Sequence, residues 1–230
     1  MKTLALVAQK GGCGKSTLSV LISQTLRAEG KKVLLIDLDT QGNSSRGSQG
    51  KHTLYDVLTG KVSADAAITD DVIRSDIRLA EWELRRAGVG VLQQKLQELK
   101  SAYDICVLDC PPALGALSLN AIHAADIILT PVVPGLYNLD ALPPLMETIA
   151  AVNQNVDWFI VCNKWDMRRS LDKTLHQFIK EGVCGEALIG SIIPQAVAVG
   201  VATATGEPLK RSSKAGKAIY DLINECNLIN

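Results

Sequence analysis

The stretch AQKGGCGKST, residues 8–17, decides how the rest of the chain is read. An ordinary phosphate-binding loop is spelled G-x-x-x-x-G-K-[ST]. Counting back from Gly14, Lys15 and Ser16, its first glycine belongs at position 9, where Gln9 stands. Gly11 and Gly12 have moved inward, and an extra lysine, Lys10, precedes them. Glycines so placed still let consecutive backbone N–H groups turn toward one anion, and a helix behind them adds the partial positive charge of its N-terminus. Lys15 is placed to reach terminal phosphates, Ser16 offers a hydroxyl to Mg2+, and Thr17 offers one to a phosphate oxygen. A tight turn alone would need none of these.

Working outward, apolar runs at 4–7, 33–36, 105–108, 127–129 and 159–162 are short, nearly continuous and rich in β-branched residues. Parallel strands covered on both faces read this way. A further strand is expected over 187–193, ending at Pro194, and helices over 17–29, 92–101, 113–124, 139–152, 170–181 and 217–225. Alternating strand–helix units imply an α/β fold, a doubly wound, mainly parallel sheet with helices on both faces. The stretch 42–88, punctuated by Gly, Ser and Asp, is expected to be a loop-rich excursion with short helices on the same domain. In such sheets ligands bind beyond the carboxyl ends of the strands, so polar residues should follow other strands too.

They do. After the second run come Asp37, Leu38, Asp39, Thr40, Gln41, Gly42 and Asn43. Two carboxylates one residue apart at a strand end point the same way. Beside the Mg2+ of a nucleotide they are able to orient a water for attack on the γ-phosphate. After the third run Asp109 is followed by Cys110, Pro111 and Pro112. An acid closing an apolar strand is the Walker B arrangement, which holds the metal directly or through water. Any strand can end in Asp; the glycine loop gives this one its meaning.

The bulk numbers narrow the class. A chain of 230 residues, 47% hydrophobic and 21% charged, has ordinary globular composition and room for one good core. No apolar run reaches the length of a membrane span, and the apolar start is too short for a signal peptide, so a cytoplasmic protein is expected. The formal net charge is zero, so contact with nucleic acid must come from a local patch. Six cysteines lie scattered through apolar segments; Cys106 and Cys110 have no partner pair, which favours reduced thiols over a metal or iron–sulfur site.

The segments 10–17, 33–43, 103–104 and 109–112 together resemble the ParA/MinD group of deviant Walker A ATPases, within the P-loop NTPase fold. The likeness continues through Ala125-Asp126, Pro131-Val132, Asn163-Lys164 and Ile192-Ile193-Pro194 to Gly216 and Tyr220, and is thinnest over 45–95. The sequence looks most like a short ParA-type DNA-partition ATPase, which implies a single P-loop ATPase domain over 1–230 without a separate N-terminal DNA-binding domain. By that resemblance Lys10 is the signature lysine that crosses a dimer interface to phosphates held by the other subunit. Lys15 and Ser16 match the P-loop lysine and the Mg2+ ligand, within a cradle of Gly11, Gly12, Cys13, Gly14 and Thr17. Asp39 matches the residue that positions the hydrolytic water. Asp37 is its switch neighbour and Asp109 the Walker B acid, both holding the metal through water. Asn163 and the backbone around Pro194 fall where the family contacts the base. The resemblance further implies ATP and Mg2+ as cofactors, a homodimer when ATP is bound, nonspecific DNA, and weak hydrolysis stimulated by a ParB-like or small centromere-binding or adaptor protein. Localisation would be cytoplasmic, on the nucleoid.

Two surfaces separate the members of the group. A MinD-like protein ends in a basic amphipathic helix that lies on membranes; the tail here has no Lys or Arg after Lys217 and carries Asp221 and Glu225, so it reads as a packing helix. Just before it lies a basic loop with Lys210, Arg211, Lys214 and Lys217 and no acid, where the resemblance implies nonspecific DNA contacts, with Arg168, Arg169 and Lys173 as an extension. Gln195 departs from the arginine that often follows the Ile-Pro in ParA proteins. Small-molecule ATP-dependent enzymes of the dethiobiotin synthetase and cobyrinate amidase branch remain an alternative. They need no signature lysine and usually lack the Asp37, Asp39, Gln41 set. The nitrogenase iron-protein branch would require a cluster-ligating cysteine pair.

Overall fold

The computed structural model describes residues 1–84 and 88–229; residues 85–87, within the expected 42–88 excursion, and Asn230 lie outside the described residues. Chain order is β1 (Lys2–Leu6), α1 (Lys15–Ala28), β2 (Val33–Asp37), α2 (Leu54–Leu58), β3 (Val72–Ile73), α3 (Leu79–Leu84), α4 (Val91–Gln97), β4 (Ile105–Asp109), α5 (Ala116–Ala124), β5 (Ile127–Val132), α6 (Leu136–Leu139), α7 (Leu142–Val152), β6 (Asp157–Asn163), α8 (Ser170–Glu181), β7 (Leu188–Ile193), α9 (Val197–Thr205) and α10 (Lys214–Glu225). The strands pair in parallel in the order β3-β2-β4-β1-β5-β6-β7.

Strand alternation sorts the core into two faces. Ala5, Leu34, Ile36, Cys106, Leu108 and Ile128 pack under α2, α3, α4, α5 and α7. One residue out of phase, Leu4, Leu6, Val33, Leu35, Ile105 and Val107 pack under α1, α9 and α10. A third cluster joins Ile160 and Cys162 of β6 to α6, α7 and α8. At about 1.5–3 kcal/mol for each fully buried aliphatic side chain, these faces fix the strand ends on which the polar loops hang.

The same alternation aims the acids. Asp37 and Asp109 are Cα partners at the ends of β2 and β4, one step beyond Ile36 and Leu108, so both turn to the α1 face. From β1 the chain crosses to β2 on one side, and from β4 it crosses to β5 on the other. Neighbouring strands whose connections leave in opposite directions open a crevice at their carboxyl ends. The glycine loop follows β1 into that crevice.

Several expectations shift. The helix expected over 139–152 is two, α6 and α7, because Pro143 and Pro144 are tolerated only in the first turn of a new helix. The tail helix starts at Lys214, where the Ser213 hydroxyl accepts from the Gly216 N–H at 3.0 Å and caps it. Lys214 and Lys217 therefore stand in the first turns of α10 and not in a basic loop. Two elements were not expected. β3 is two residues long, too short for any period. α9 is valine-rich and carries Gly200, poor helix material; it docks on α1, where the Gln24 amide donates to the Ala202 carbonyl at 3.3 Å.

Candidate nucleotide site

The β1–α1 loop is built to hold an anion. Gly14 is the N-cap of α1 with φ 99°, and Gly12 has φ 76°, left-handed conformations that favour glycine. No side chain caps α1 and no acid stands in its first turn, so its leading N–H groups and positive end are free for a ligand. The loop is braced from β6. The Asn163 amide donates to the Cys13 carbonyl at 2.7 Å, and the Lys164 ammonium donates to the Gly12 carbonyl at 3.0 Å. Lys164 itself has φ 63°, a strained conformation for a side-chain-bearing residue, held by its N–H bond to Ile193 at 2.8 Å.

A Cβ on Gly14 would run into the Asn163 amide. Gly14→Ala is therefore expected to break the brace as well as strain φ. The expected result is a loss of about 1–3 kcal/mol in urea unfolding and at least tenfold weaker binding in a fluorescent-ATP titration. Unchanged affinity would show that the loop accommodates a side chain there.

The two lysines face different ways. Lys15 is buried, with its ammonium on the carbonyls of Ala8 at 3.3 Å and Lys10 at 3.2 Å and 3.9 Å from the Cys13 sulfur. Cys13 is buried too, its thiol donating to the Lys10 carbonyl at 3.2 Å. A cavity of about 990 Å³ opens over the loop, lined by Gly11, Gly12, Gly14, Lys15, Ser16 and Thr17. Lys10 borders instead a separate hollow of about 20 Å³ beside Thr130 and Asn138, and its ammonium lies 5.9 Å from the Tyr137 ring centroid.

The acids divide similarly. Asp37 is fully buried and accepts from the Asp39 N–H at 3.0 Å, the Ser45 N–H at 2.9 Å and the Ser45 hydroxyl at 2.8 Å. Because β2 stops at Asp37, the chain turns there, and the expected same-side placement of Asp37 and Asp39 does not follow from strand geometry. Asp39 lines the cavity and accepts from the Gln41 N–H at 3.0 Å. Burial raises the pKa of Asp37 against the pull of its hydrogen bonds. Burial first, and the charge of Asp37 second, push Asp109 up to about 7, tempered by the nearby Ser16 and Ser44 hydroxyls and by Lys15. Neither Asp109 oxygen meets a well-aligned hydrogen-bond partner, nor does the buried Ser44 hydroxyl. A fully buried pair of carboxylate oxygens beside hydroxyls is a donor set suited to a hard cation such as Mg2+. The six cysteines are all buried, with burial pushing Cys106 and Cys110 up strongly.

The base-contact candidates meet at the β6–β7 edge, where Asn163 pairs with Ile193, immediately before Pro194. The basic residues lie elsewhere. Arg211 stacks on Tyr220 at 4.5 Å from the ring centroid, and the Tyr220 hydroxyl donates to Glu29 at 2.9 Å, at the far end of α1 from the loop. Arg211, Lys214 and Lys217 are exposed. Arg168 is tied to Asp166 at 2.8 and 2.7 Å, so its charge is locally neutralised. The apolar face of α10 is covered, with Ile219, Leu222 and Ile223 fully buried. Among the described residues no helix is long and apolar enough to cross a membrane. Ser45 escaped the sequence reading, and Lys164 entered it only as part of the Asn163-Lys164 likeness, with no role assigned.

The comparisons agree with this geometry. The AAA domain family matches residues 1–161. The chromosome partitioning protein ParA of Caulobacter vibrioides is 32% identical, over 91% of this chain and 86% of that protein. The fold matches apo McdA of Cyanothece with a TM-score of 0.87 at 22% identity, covering 99% of both chains. It also matches cobyrinic acid a,c-diamide synthase of Mycobacterium smegmatis, bound to an ATP analogue and magnesium, with a TM-score of 0.82 at 27% identity over 99% of this chain and 94% of that one. A glycine loop with two lysines and likeness to ParA along nearly the whole length lead to one assignment: the chain belongs to the ParA-type partition ATPase family.

Proposed function

We propose that this chain is an ATP-timed DNA-segregation switch: Mg-ATP joins two copies, the pair holds DNA without reading sequence, and a partner stimulates hydrolysis to release it. The observation that carries this reading is the division of labour between lysines, with Lys15 inside the cavity and Lys10 outside it. Lys15, the Gly11–Gly14 backbone and Thr17 bind the phosphates of ATP. Ser16 and Asp109 would hold Mg2+, with Asp109 and Asp37 acting through water; the ion supplies neutralisation of phosphate charge. Asp39 orients the attacking water, using the oxygen not engaged by Gln41. Asn163 and the backbone at Pro194 border the base. Lys10 reaches the phosphates of the second copy, and a ParB-like or small adaptor protein stimulates turnover. The protein then works in the cytoplasm, on the nucleoid.

Support for the DNA step comes from α10. Lys214 and Lys217 sit near the positive end of that helix, a placement that costs about 0.3–1 kcal/mol each unless an anion is gathered there. With ATP present, DNA affinity should fall steeply with salt, by about one power of salt concentration for each phosphate contact. Arg211→Ala combined with Lys214→Ala should weaken binding about tenfold or more and reduce the salt slope by about two per subunit. Filter binding across a salt series measures both. Salt-insensitive binding, or none with ATP, would remove DNA from the reading. The diamide-synthase likeness offers a small-molecule enzyme as the competing function; the presence in one sequence of Lys10 and of the Asp37, Asp39, Gln41 set favours partition.

A further inference from the structure

Lys10 does not stand alone on its surface. Its ammonium rests over the ring of Tyr137, 83% exposed, and the adjacent Leu136 is 62% exposed. Both belong to α6, a four-residue helix entered through Gly135 at φ 144° and tied down by the Asn138 amide, which donates to the Val133 carbonyl at 3.0 Å. A tyrosine and a leucine left this open beside a cation form an amphipathic anchor of the sort that concentrates binding energy once covered. The covering surface must carry negative charge near its centre, because Lys10 comes with the patch. This chain's own cavity supplies none to Lys10, since the lysine borders the other hollow and Lys15 already occupies the loop.

We propose that Leu136 and Tyr137 are a contact surface for a second copy of this chain, and that the Tyr137 ring is a positioning residue that presents the Lys10 ammonium to the nucleotide held by that copy. The proposal rests on the sandwich-dimer reading above and adds its contact residues. A cation over an aromatic face is held electrostatically, and the attraction grows when water is excluded, as it would be between two subunits. The ring also limits the rotamers of a four-carbon stem, so less freedom is lost when Lys10 docks. By two-fold symmetry each pair of copies has two such platforms, and each effect counts twice.

The test is light scattering of the full chain with Mg-ATP for three variants, alongside fluorescent-ATP titration of each at monomeric concentration. Tyr137→Ala should weaken the ATP-dependent dimer at least tenfold, Tyr137→Phe should stay within about threefold, and nucleotide binding should change less than twofold in either. In a Leu136→Cys variant, alkylation of the new thiol should slow at least fivefold when ATP is added, and this protection should vanish when Lys10→Ala is combined with it. An ATP dimer that forms normally in Tyr137→Ala, or a Leu136→Cys thiol labelled equally in monomer and dimer, overturns the proposal alone. If the unaltered chain forms no ATP dimer, the sandwich reading falls and the proposal with it. Equal loss in Tyr137→Ala and Tyr137→Phe would also overturn it, because the phenylalanine ring keeps the face that holds the cation.

Discussion

Lys10→Ala is expected to bind ATP within about threefold of the parent, to form no ATP-dependent dimer in light scattering, and to lose partner-stimulated hydrolysis. The effect is electrostatic. Two ATP molecules facing one another bring about eight negative charges together before any cation is counted, and unassisted surfaces would separate. A unit charge pair about 4 Å apart is worth about 4 kcal/mol at an effective dielectric near 20, close to three orders of magnitude in an equilibrium constant. Symmetry supplies that twice. ATP binding survives because the lysine inside the cavity is Lys15, and the cradle of Gly11, Gly12 and Gly14 is untouched. An unchanged ATP dimer in Lys10→Ala would sink the assignment.

Asp39→Ala is expected to show the opposite pattern: a persistent ATP dimer whose single-turnover hydrolysis falls about 10²–10⁴-fold, the range for losing a positioned proton acceptor. Asp39 alone among the three acids lines the cavity while its neighbours are fully buried, so it is the one that can reach a water beside the γ-phosphate. The Gln41 N–H fixes one of its oxygens, which would orient the other. Retention of DNA by Asp39→Ala after ATP addition, followed over time, reports the same trapping. Hydrolysis within tenfold of the parent would assign the water to another residue.

How much of this was legible depended on range. The glycine loop is local, a spacing of residues over ten positions, and the structure places it as expected between β1 and α1, with Gly14 as the left-handed N-cap. Asp109 was legible because an apolar run visibly ends there; its neighbour Asp37 was found for the same reason. The turn that separates Asp37 from Asp39 was not, because it depends on Ser45, eight residues on, closing around the buried carboxylate. The Lys164 brace and the Tyr137 platform were invisible, since each joins positions more than a hundred residues apart. β3 and α9 exist by docking, on β2 and α1, and have no period or propensity to announce them. The proline pair at 143–144 was a local signal that the expected helix over 139–152 should have heeded.

α1 carries the phosphate loop at one end and, through Glu29 and Tyr220, Arg211 at the other, across fourteen residues or about 21 Å. A rod so loaded couples its ends in both directions or in neither. Whatever factor bound nucleotide lends to DNA affinity, DNA must lend back to nucleotide affinity. If nucleotide raises DNA affinity as proposed, a subunit on DNA would hold ATP more tightly than one in free solution, and the nucleoid would serve as a store of ATP-bound protein. Release would then fall to the partner proposed to trigger hydrolysis, with spontaneous loss of nucleotide the slower route.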